Sequence, residues 1–235
     1  MARLCLCVNQ VAKCRNDKKD RVPDPTAIAI AAEMAGIDGI VAHLRQDRLD
    51  ISDRDVSVLK EVVQTHFNIA IPLRDEMVKK VVNILPDMVT LLPSVQEDKK
   101  ENSLDVVAGR DYVESVAQTL RAHNIVVTML IDPEPQQIKA AARAQADYVQ
   151  FNTAQLQRID DLGTMADHIE QIRSAAIAAN KIGLGVTAGR GLNTQNLREL
   201  TNVSYVEEYN IGWGIISRAM LVGVERAVED FRKLV

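Results

Sequence analysis

The segment 126–152 reads VVTMLIDPEPQQIKAAARAQADYVQFN, and its pattern decides the fold class. Two short β-branched and aliphatic runs, 126–131 and 148–152, predict buried strands, and the amphipathic stretch 135–144 between them predicts a helix. Asp132 and Pro133 supply the turn that ends the first run. A strand, a helix and a second strand in this order are the building unit of a parallel sheet.

The same unit recurs along the whole chain. Further strands are predicted at 4–8, 39–43, 68–73, 88–92, 183–187 and 205–211, and further helices at 26–35, 53–64, 75–84, 110–123, 159–181, 194–200 and 214–234. Eight strands with crossover helices and no Asn-Gly hairpin signal predict an α/β fold, a single (β/α)8 TIM barrel over residues 1–235. The alternative is an open doubly wound sheet, but no Gly-x-Gly-x-x-Gly motif follows the first strand.

The net charge and the aromatic content bear on whether the protein binds nucleic acid or a membrane. The 235 residues carry a net charge of −4 and only 3% aromatic residues. This balance provides neither a basic surface for nucleic acid nor the aromatic side chains on which single-stranded bases stack. No apolar run approaches the roughly 20 residues that span a bilayer. We therefore expect no nucleic-acid or membrane partner.

The cysteines and the N-terminus bear on location. Cys5, Cys7 and Cys14 cannot form a paired disulfide framework and fit a reducing compartment. The apolar run before Asn9 is too short for a signal peptide, so we expect a cytoplasmic protein. Cys5 and Cys7 have no second Cys/His pair at ligand spacing, which favours small fillers on a buried strand over a metal site.

Barrels of this kind carry their chemistry at the carboxyl ends of the strands. Those ends carry Asn9, His43, Arg45, Ala70, Asp132, Gln150 and Asn152. A lone histidine is often a core residue, but the position of His43 at a strand end and its neighbour Arg45 favour a role in a site.

Two glycine-rich turns predict an anion site. Gly189-Arg190-Gly191 and Gly212-Trp213-Gly214 follow the seventh and eighth strands, and each precedes a helix. Glycine lets backbone N–H groups approach an anion closely, and barrels often hold phosphate at these two loops. The alternative is that the glycines only form tight turns. Two charged segments each allow two interpretations. The segment 13–21 is either a solvated loop or an anion clamp, and the segment 96–102 is either a solvated loop or a lid over the barrel mouth.

Several chemistries are disfavoured. None of the predicted strands contains a lysine, which a Schiff-base aldolase requires. Asp132 and Glu208 are the carboxylates near strand ends, and they are separated, so no metal site is predicted. We expect no cofactor.

The stretch 43–56, HLRQDRLDISDRDV, resembles the HLREDRRHI-x-DRDV segment of pyridoxine 5'-phosphate synthases. Val8-Asn9, Pro23-Asp24-Pro25, Leu104-Asp105-Val106, Ala188-Gly189-x-Gly191-Leu192 and Asn210-Ile211-Gly212 match the family in the same order, so the resemblance covers the whole chain. It implies an octameric barrel that condenses 3-amino-2-oxopropyl phosphate with 1-deoxy-xylulose 5-phosphate. It also implies that Asn9, Gly191 and the Gly212–Trp213 backbone hold the aminoketone phosphate, that Arg45 holds the sugar phosphate, and that His43 transfers protons.

The chain departs from that family where the family transfers protons. An Asp-His pair after Asn9 is absent, Ala70 stands at the position of a base glutamate, and Gln150 at that of a second glutamate. At four positions where the family has histidine, this chain has Asp50, Asn152, Arg190 and Trp213. At a position where the family has arginine, it has Lys18. Alanine and glutamine cannot act as bases, and arginine stays protonated near neutral pH.

Three hypotheses follow. The first is a diverged paralogue that binds a small phosphorylated or carboxylated metabolite and catalyses a simpler reaction through His43. The second is a working synthase in which Asp132, Glu208 or the 96–102 loop supplies the missing proton transfers. The third is a non-catalytic metabolite-binding or scaffold barrel. All three are compatible with a homo-oligomer.

Overall fold

Eight parallel strands close into a barrel in chain order in a computed structural model, which describes residues 2–94 and 103–235. They are β1 Arg3–Cys7, β2 Gly39–His43, β3 His66–Pro72, β4 Met88–Leu92, β5 Val126–Ile131, β6 Tyr148–Asn152, β7 Gly185–Gly189 and β8 Val206–Ile211. The barrel closes where β1 pairs in parallel with β8, Cys5 lying opposite Asn210. The predicted (β/α)8 TIM barrel is confirmed.

Helices cover the outside of the sheet. They are α1 Asn9–Lys18, α2 Pro25–Met34, α3 Asp53–Val62, α4 Asp75–Ile84, α5 Arg110–Ala122, α6 Pro135–Arg143, α7 Leu162–Lys181, α8 Asn196–Leu200, α9 Trp213–Val222 and α10 Val224–Arg232, with a 3₁₀ turn at Ala154–Arg158. Residues such as Leu4, Leu6 and Ile40 are fully buried in the core between sheet and helices. At the start of α3, Ser52 and Asp55 form a capping box.

The barrel interior is more polar than the outer core. Asn210 on β8 donates to Gln150 on β6 across the interior, and Asn68 bonds to Thr90 between β3 and β4. Branched apolar residues usually fill this space in TIM barrels. Here buried amides and hydroxyls form the floor beneath the mouth, by which we mean the end of the barrel where the strands terminate.

One helix was not anticipated. The segment 13–21 was expected to be a loop, but α1 runs from Asn9 to Lys18. Its sequence has no apolar stripe, because only Val11 and Ala12 supply buried apolar side chains. Instead Arg15 fastens the helix through a bidentate ion pair with Asp55, at 2.6 and 2.8 Å.

At two glycines the helix or strand boundary differs from the one that the sequence predicts. The last predicted helix is broken at Gly223, where a φ of +83° cannot continue an α-helix, so α9 and α10 are separate. The seventh strand begins at Gly185 rather than at residue 183, because Gly183 has a φ of +84° in the turn after α7.

The cysteine prediction is half right. Cys5 is buried in the barrel, whereas Cys7 is only partly buried and lines the mouth. The 96–102 loop, for which a lid was one alternative, lies outside the described residues. No helix within residues 2–94 and 103–235 combines the length and apolarity needed to cross a bilayer.

Candidate active site

A cavity of about 1260 Å³ opens at the mouth. It brings together most of the residues that the sequence analysis singled out: Asn9, His43, Arg45, Ala70, Gln150, Arg190, Gly191, Gly212 and Trp213. They come from β1, β2, β3, β6 and the two glycine loops, and they converge because parallel strands end at one edge of a barrel. The mouth is therefore the candidate site.

Asn9 fixes the position of His43. Its Nδ2 donates to the His43 carbonyl at 2.8 Å, and its Oδ1 accepts from the His43 backbone N–H at 2.7 Å. The amide thus bridges the ends of β1 and β2, and its Oδ1 also accepts from Cys7 Sγ at 3.5 Å. The amide of Asn9 thus has a structural role at the mouth, and binding of phosphate by Asn9 stays a prediction.

His43 is held as a neutral imidazole. Burial is the largest cause that lowers its pKa, to about 3, and the positive charges of Arg190 and Arg45 lower it further, with Asp47 opposing them. At neutral pH the ring is therefore uncharged, and it cannot act as an imidazolium acid. Burial also raises the pKa of the neighbouring Cys7 thiol to about 11, so this thiol stays protonated.

The two glycine loops pack directly against each other. A Cβ on Gly214 would lie 2.4 Å from the Leu192 carbonyl oxygen, and one on Gly191 would lie 3.1 Å from Ala154 Cα. Gly191 also has a φ of +67°, which favours glycine. Thr153 Oγ1 holds the seventh loop by donating to the carbonyls of Gly189 at 2.9 Å and Arg190 at 2.6 Å. Gly212 is the N-cap of the ten-residue helix α9, and Gly212, Trp213 and Gly214 line the cavity, so the start of this helix borders the candidate site.

Positive side chains dominate the cavity. Lys13, Arg45, Arg74 and Arg190 line it, whereas Asp17 and Asp50 are the carboxylates that the described residues contribute. Lys13 belongs to the segment 13–21, for which an anion clamp was one alternative, and it lies on α1. Arg74 was not predicted as a site residue, and it lies just after β3 at the start of α4. Lys18 lies at the exposed end of α1, away from the cavity lining.

The environment of Ala70 is apolar. Ala70 forms a small buried cluster with Leu92 on β4 and Leu130 on β5. None of these side chains can exchange a proton. Nearby, Asp50 lines the cavity with a buried Oδ1 that no described protein group contacts by a hydrogen bond.

Asp132 and Asn152 lie in an adjacent cavity of about 670 Å³. Ser103 Oγ donates to Asp132 at 2.6 Å and accepts from Asn152 Nδ2 at 3.0 Å. Pro93, Ser94 and Ala154 line both cavities. These two predicted pocket residues are therefore near the mouth, but they are not among those that line the cavity around His43.

Glu208 does not line the mouth, in contrast to the prediction. Its fully buried carboxylate pairs with Arg3 at 3.1 Å and accepts from Asn210 at 3.0 Å. Arg3 begins β1, at the opposite end of the barrel from the mouth. Since β8 ends at Ile211, residue 208 lies roughly 10 Å below the strand end, given a rise of about 3.3 Å per residue.

The part of the chain that the structure describes contains no group of three or more His, Cys, Asp or Glu side chains placed to hold a metal ion. The cations that line the mouth can bind an anion, and His43 or a mouth aspartate can transfer a proton.

Comparisons with known proteins give relatives along the whole chain. Residues 4–235 match the protein family described as "Pyridoxal phosphate biosynthesis protein PdxJ". The pyridoxine 5'-phosphate synthase of Geotalea daltonii is 42% identical over 236 residues, covering 100% of this chain and 99% of that protein. That of Syntrophobacter fumaroxidans is 41% identical with the same coverage. Thiamine phosphate pyrophosphorylase from Pyrococcus furiosus has the same fold, with a TM-score of 0.65, 15% identity, and coverage of 99% of this chain and 95% of that one.

Proposed function

Because the chain belongs to the family of pyridoxal phosphate biosynthesis protein PdxJ, we propose that it binds a small phosphorylated metabolite at the barrel mouth. We further propose that the ring-closing condensation of the family is lost in this chain or replaced by a simpler reaction. The homologues that carry the name pyridoxine 5'-phosphate synthase support a synthase-like enzyme as the starting point.

The composition of the cavity lining carries the proposal. Four cationic side chains and two glycine loops surround the cavity, which favours a phosphate or carboxylate group. His43 is the one histidine among the described lining residues, and Ala70 is part of an apolar cluster. General acids and bases each contribute about 10²–10⁴-fold to a rate, so a reaction that needs several proton transfers would be slow here.

Binding of an anion would change what His43 can do. Burial is the largest cause that lowers the pKa of His43, and the charges of Arg190 and Arg45 lower it further. A phosphate or carboxylate bound beside the two arginines would offset the part of the lowering that comes from their charges and so raise the pKa of His43. The loaded site would then support a single proton transfer, as in an isomerisation next to a carbonyl group. Asp50 is a candidate partner because it lines the same cavity as His43.

Calorimetry with inorganic phosphate tests the anion site. The wild-type chain, Arg45→Ala and Arg190→Gly would be compared, and Arg198→Ala on the surface of α8 is the matched control. Glycine suits position 190, where the backbone has a φ of +78°. We expect each mouth variant to weaken binding about tenfold or more, the effect of losing a charge-assisted hydrogen bond. Equal affinity in all four proteins would refute the anion site.

A His43→Ala variant separates a catalyst from a simple binding protein. If turnover of a metabolite identified by screening is lost while its binding persists, His43 acts in catalysis. A chain that binds the same metabolite with no turnover in either form would be the non-catalytic barrel of the third hypothesis.

The second candidate is a working pyridoxine 5'-phosphate synthase. Identities of 41–42% along the full length of synthases favour it. It would require other groups to supply the missing proton transfers. Neither Asp132 nor Glu208 lines the cavity around His43, which leaves Asp17 and Asp50 among the described residues. Formation of pyridoxine 5'-phosphate from the two family substrates at the rate of a related synthase would establish this function.

The oligomeric state and the cellular location are also proposed from the family. Family resemblance leads us to propose a homo-oligomer in the cytoplasm. Exposed apolar side chains on α2 and α9, including Met34, Met220 and Leu221, offer surface that association would bury. Light scattering of the purified chain gives the mass, and a monomer at micromolar concentration would contradict the proposal.

A further inference from the structure

Asn210 is held in one orientation at the floor of the mouth. Its Nδ2 donates to Glu208 Oε1 at 3.0 Å and to Gln150 Oε1 at 3.2 Å. The Glu208 carboxylate is paired with Arg3 and offers only acceptors, so the nitrogen end of the amide must face it. The oxygen end is therefore fixed on the other side.

That oxygen has no protein partner. Asn210 is only 8% exposed and lines the mouth cavity, yet no group of the described residues donates a hydrogen bond to its Oδ1. A buried acceptor without a donor is unfavourable, and such groups are uncommon in folded proteins. An unsatisfied acceptor in the wall of a binding cavity suggests that a ligand group satisfies it.

A second acceptor lies at the same end of β8. Gln10 Oε1 is likewise buried without a protein partner, and a Cβ on Gly212 would lie 2.5 Å from it. Gly212 opens α9, so the two amide oxygens flank the strand end that leads into the proposed phosphate loop. A donor close to the phosphate of a ligand could thus reach them.

The amide pair is also packed tightly. A Cβ on Gly189 would lie 2.6 Å from Gln150 Nε2 and 3.1 Å from Asn210 Cβ, so only glycine leaves room for both side chains. An acceptor held in this way does not have to be ordered when a ligand binds, which favours discrimination between ligands.

We propose that Asn210 determines specificity by accepting a hydrogen bond from a hydroxyl or amino group of the bound metabolite. A phosphate ligand that carries such a donor would then bind in preference to an alkyl phosphate without one. This inference rests on the proposed phosphate-binding function. Sites built to bond a substrate hydroxyl reject the analogue that lacks it, because the buried polar group is then left unpaired.

Calorimetry with matched ligands tests the proposal. The ligands are inorganic phosphate, ethyl phosphate, 2-hydroxyethyl phosphate and 2-aminoethyl phosphate. We expect the wild-type chain to bind the hydroxyl or the amino compound at least about tenfold more tightly than ethyl phosphate, the usual effect of one satisfied buried acceptor. This comparison needs no variant, so it does not depend on how a substitution folds.

Two variants then assign the effect to Asn210. In Asn210→Leu we expect the ratio of affinities to fall close to one. Asn68→Leu is the matched control, because Asn68 is an interior asparagine whose amide bonds to Thr90 and does not line the cavity, and it should keep the wild-type ratio.

The outcomes are distinguishable. If the wild-type chain binds inorganic phosphate but does not distinguish the donor-bearing ligands from ethyl phosphate, the inference is wrong and the phosphate site stands. A preference that persists in Asn210→Leu would also overturn the assignment. A chain that binds none of the four ligands would refute the proposed function and the inference together.

Discussion

Asn9 holds the backbone of His43 at both of its polar groups, with bonds of 2.7 and 2.8 Å between the ends of two neighbouring strands. The catalytic candidate is therefore placed by a side chain 34 residues earlier in the chain. Asn9 is a positioning residue in this arrangement, whatever contact it also makes with a ligand.

Replacing Asn9 by alanine should destabilise the fold. Loss of the amide leaves two backbone groups of His43 with one partner fewer each, at a cost of about 1–3 kcal/mol in the free energy of unfolding. Urea denaturation measures this, and phosphate affinity should fall with it because His43 and Arg45 follow the same strand end. Asn202→Ala is the control, since the side-chain amide of Asn202 is exposed and donates to the Arg198 carbonyl within its own surface turn. Equal stability of Asn9→Ala and wild type would show that the bridge is unimportant.

The imidazole of His43 should respond to pH and to phosphate. Its pKa is lowered to about 3, below the usual 6.5 that it regains on unfolding. The unfolded chain therefore binds a proton more readily, so this group makes the fold less stable as the pH falls from about 6.5 toward 3, by at most about 1.4 kcal/mol per pH unit. In His43→Gln this loss should be absent. Proton NMR should also show that saturating phosphate raises the pKa.

The control for that experiment is His123→Gln, which removes an exposed imidazole on the helical surface. An acid-stability profile of His43→Gln that matches the wild type would contradict the assigned environment. A pKa that phosphate leaves unchanged would mean that the anion does not bind beside the imidazole.

The pair of Arg3 and Glu208 should make a measurable contribution to stability. Arg3→Ala leaves the fully buried Glu208 carboxylate without its cation, which is unfavourable. The Arg3 side chain is 40% exposed, so water screens part of its charge and we expect a loss of about 1–4 kcal/mol. The double variant Arg3→Ala, Glu208→Gln should recover part of that loss, because a neutral amide needs no cation. If the double variant is the less stable of the two, the loss comes from packing instead.

A methyl group at Gly214 should separate the two glycine loops. The added Cβ would lie 2.4 Å from the backbone oxygen of Leu192, so the loops must shift. We expect Gly214→Ala to lose about 1–3 kcal/mol of stability, as overpacked sites do, and to bind phosphate more weakly. Gly163→Ala is the control, because its nearest contact is 3.4 Å away in the first turn of α7. Unchanged phosphate affinity in Gly214→Ala would remove the loops from the binding site.

Much of the fold could be predicted because it rests on short-range patterns. The β-branched runs, the Ser52 cap and the paired glycine turns are local signals, and they located all eight strands. α1 was missed because it is anchored by the long-range ion pair of Arg15 with Asp55 rather than by an apolar stripe.

The site was harder to predict than the fold. His43 and Arg190 follow from strand ends and glycine turns, which sequence patterns mark. Arg74 and Cys7 line the cavity because of the direction in which their side chains leave the backbone. Glu208 was predicted to lie at the mouth, but it is three residues before the end of β8. Asp132 lies in the neighbouring cavity, where it accepts a hydrogen bond from Ser103, a residue 29 positions away that the sequence pattern does not connect to it.

The central claim is that the mouth binds anions without the groups that the family reaction needs. In the most direct test, the purified chain is incubated with 3-amino-2-oxopropyl phosphate and 1-deoxy-xylulose 5-phosphate. The pyridoxine 5'-phosphate that forms is measured by mass spectrometry, and the Geotalea daltonii synthase is assayed in parallel. We expect a rate at least about 10⁴-fold below that of the synthase, because the family resemblance implies that Ala70 and Gln150 stand where the synthases have two acid–base glutamates. Product formed at a rate within tenfold of the synthase would contradict the account.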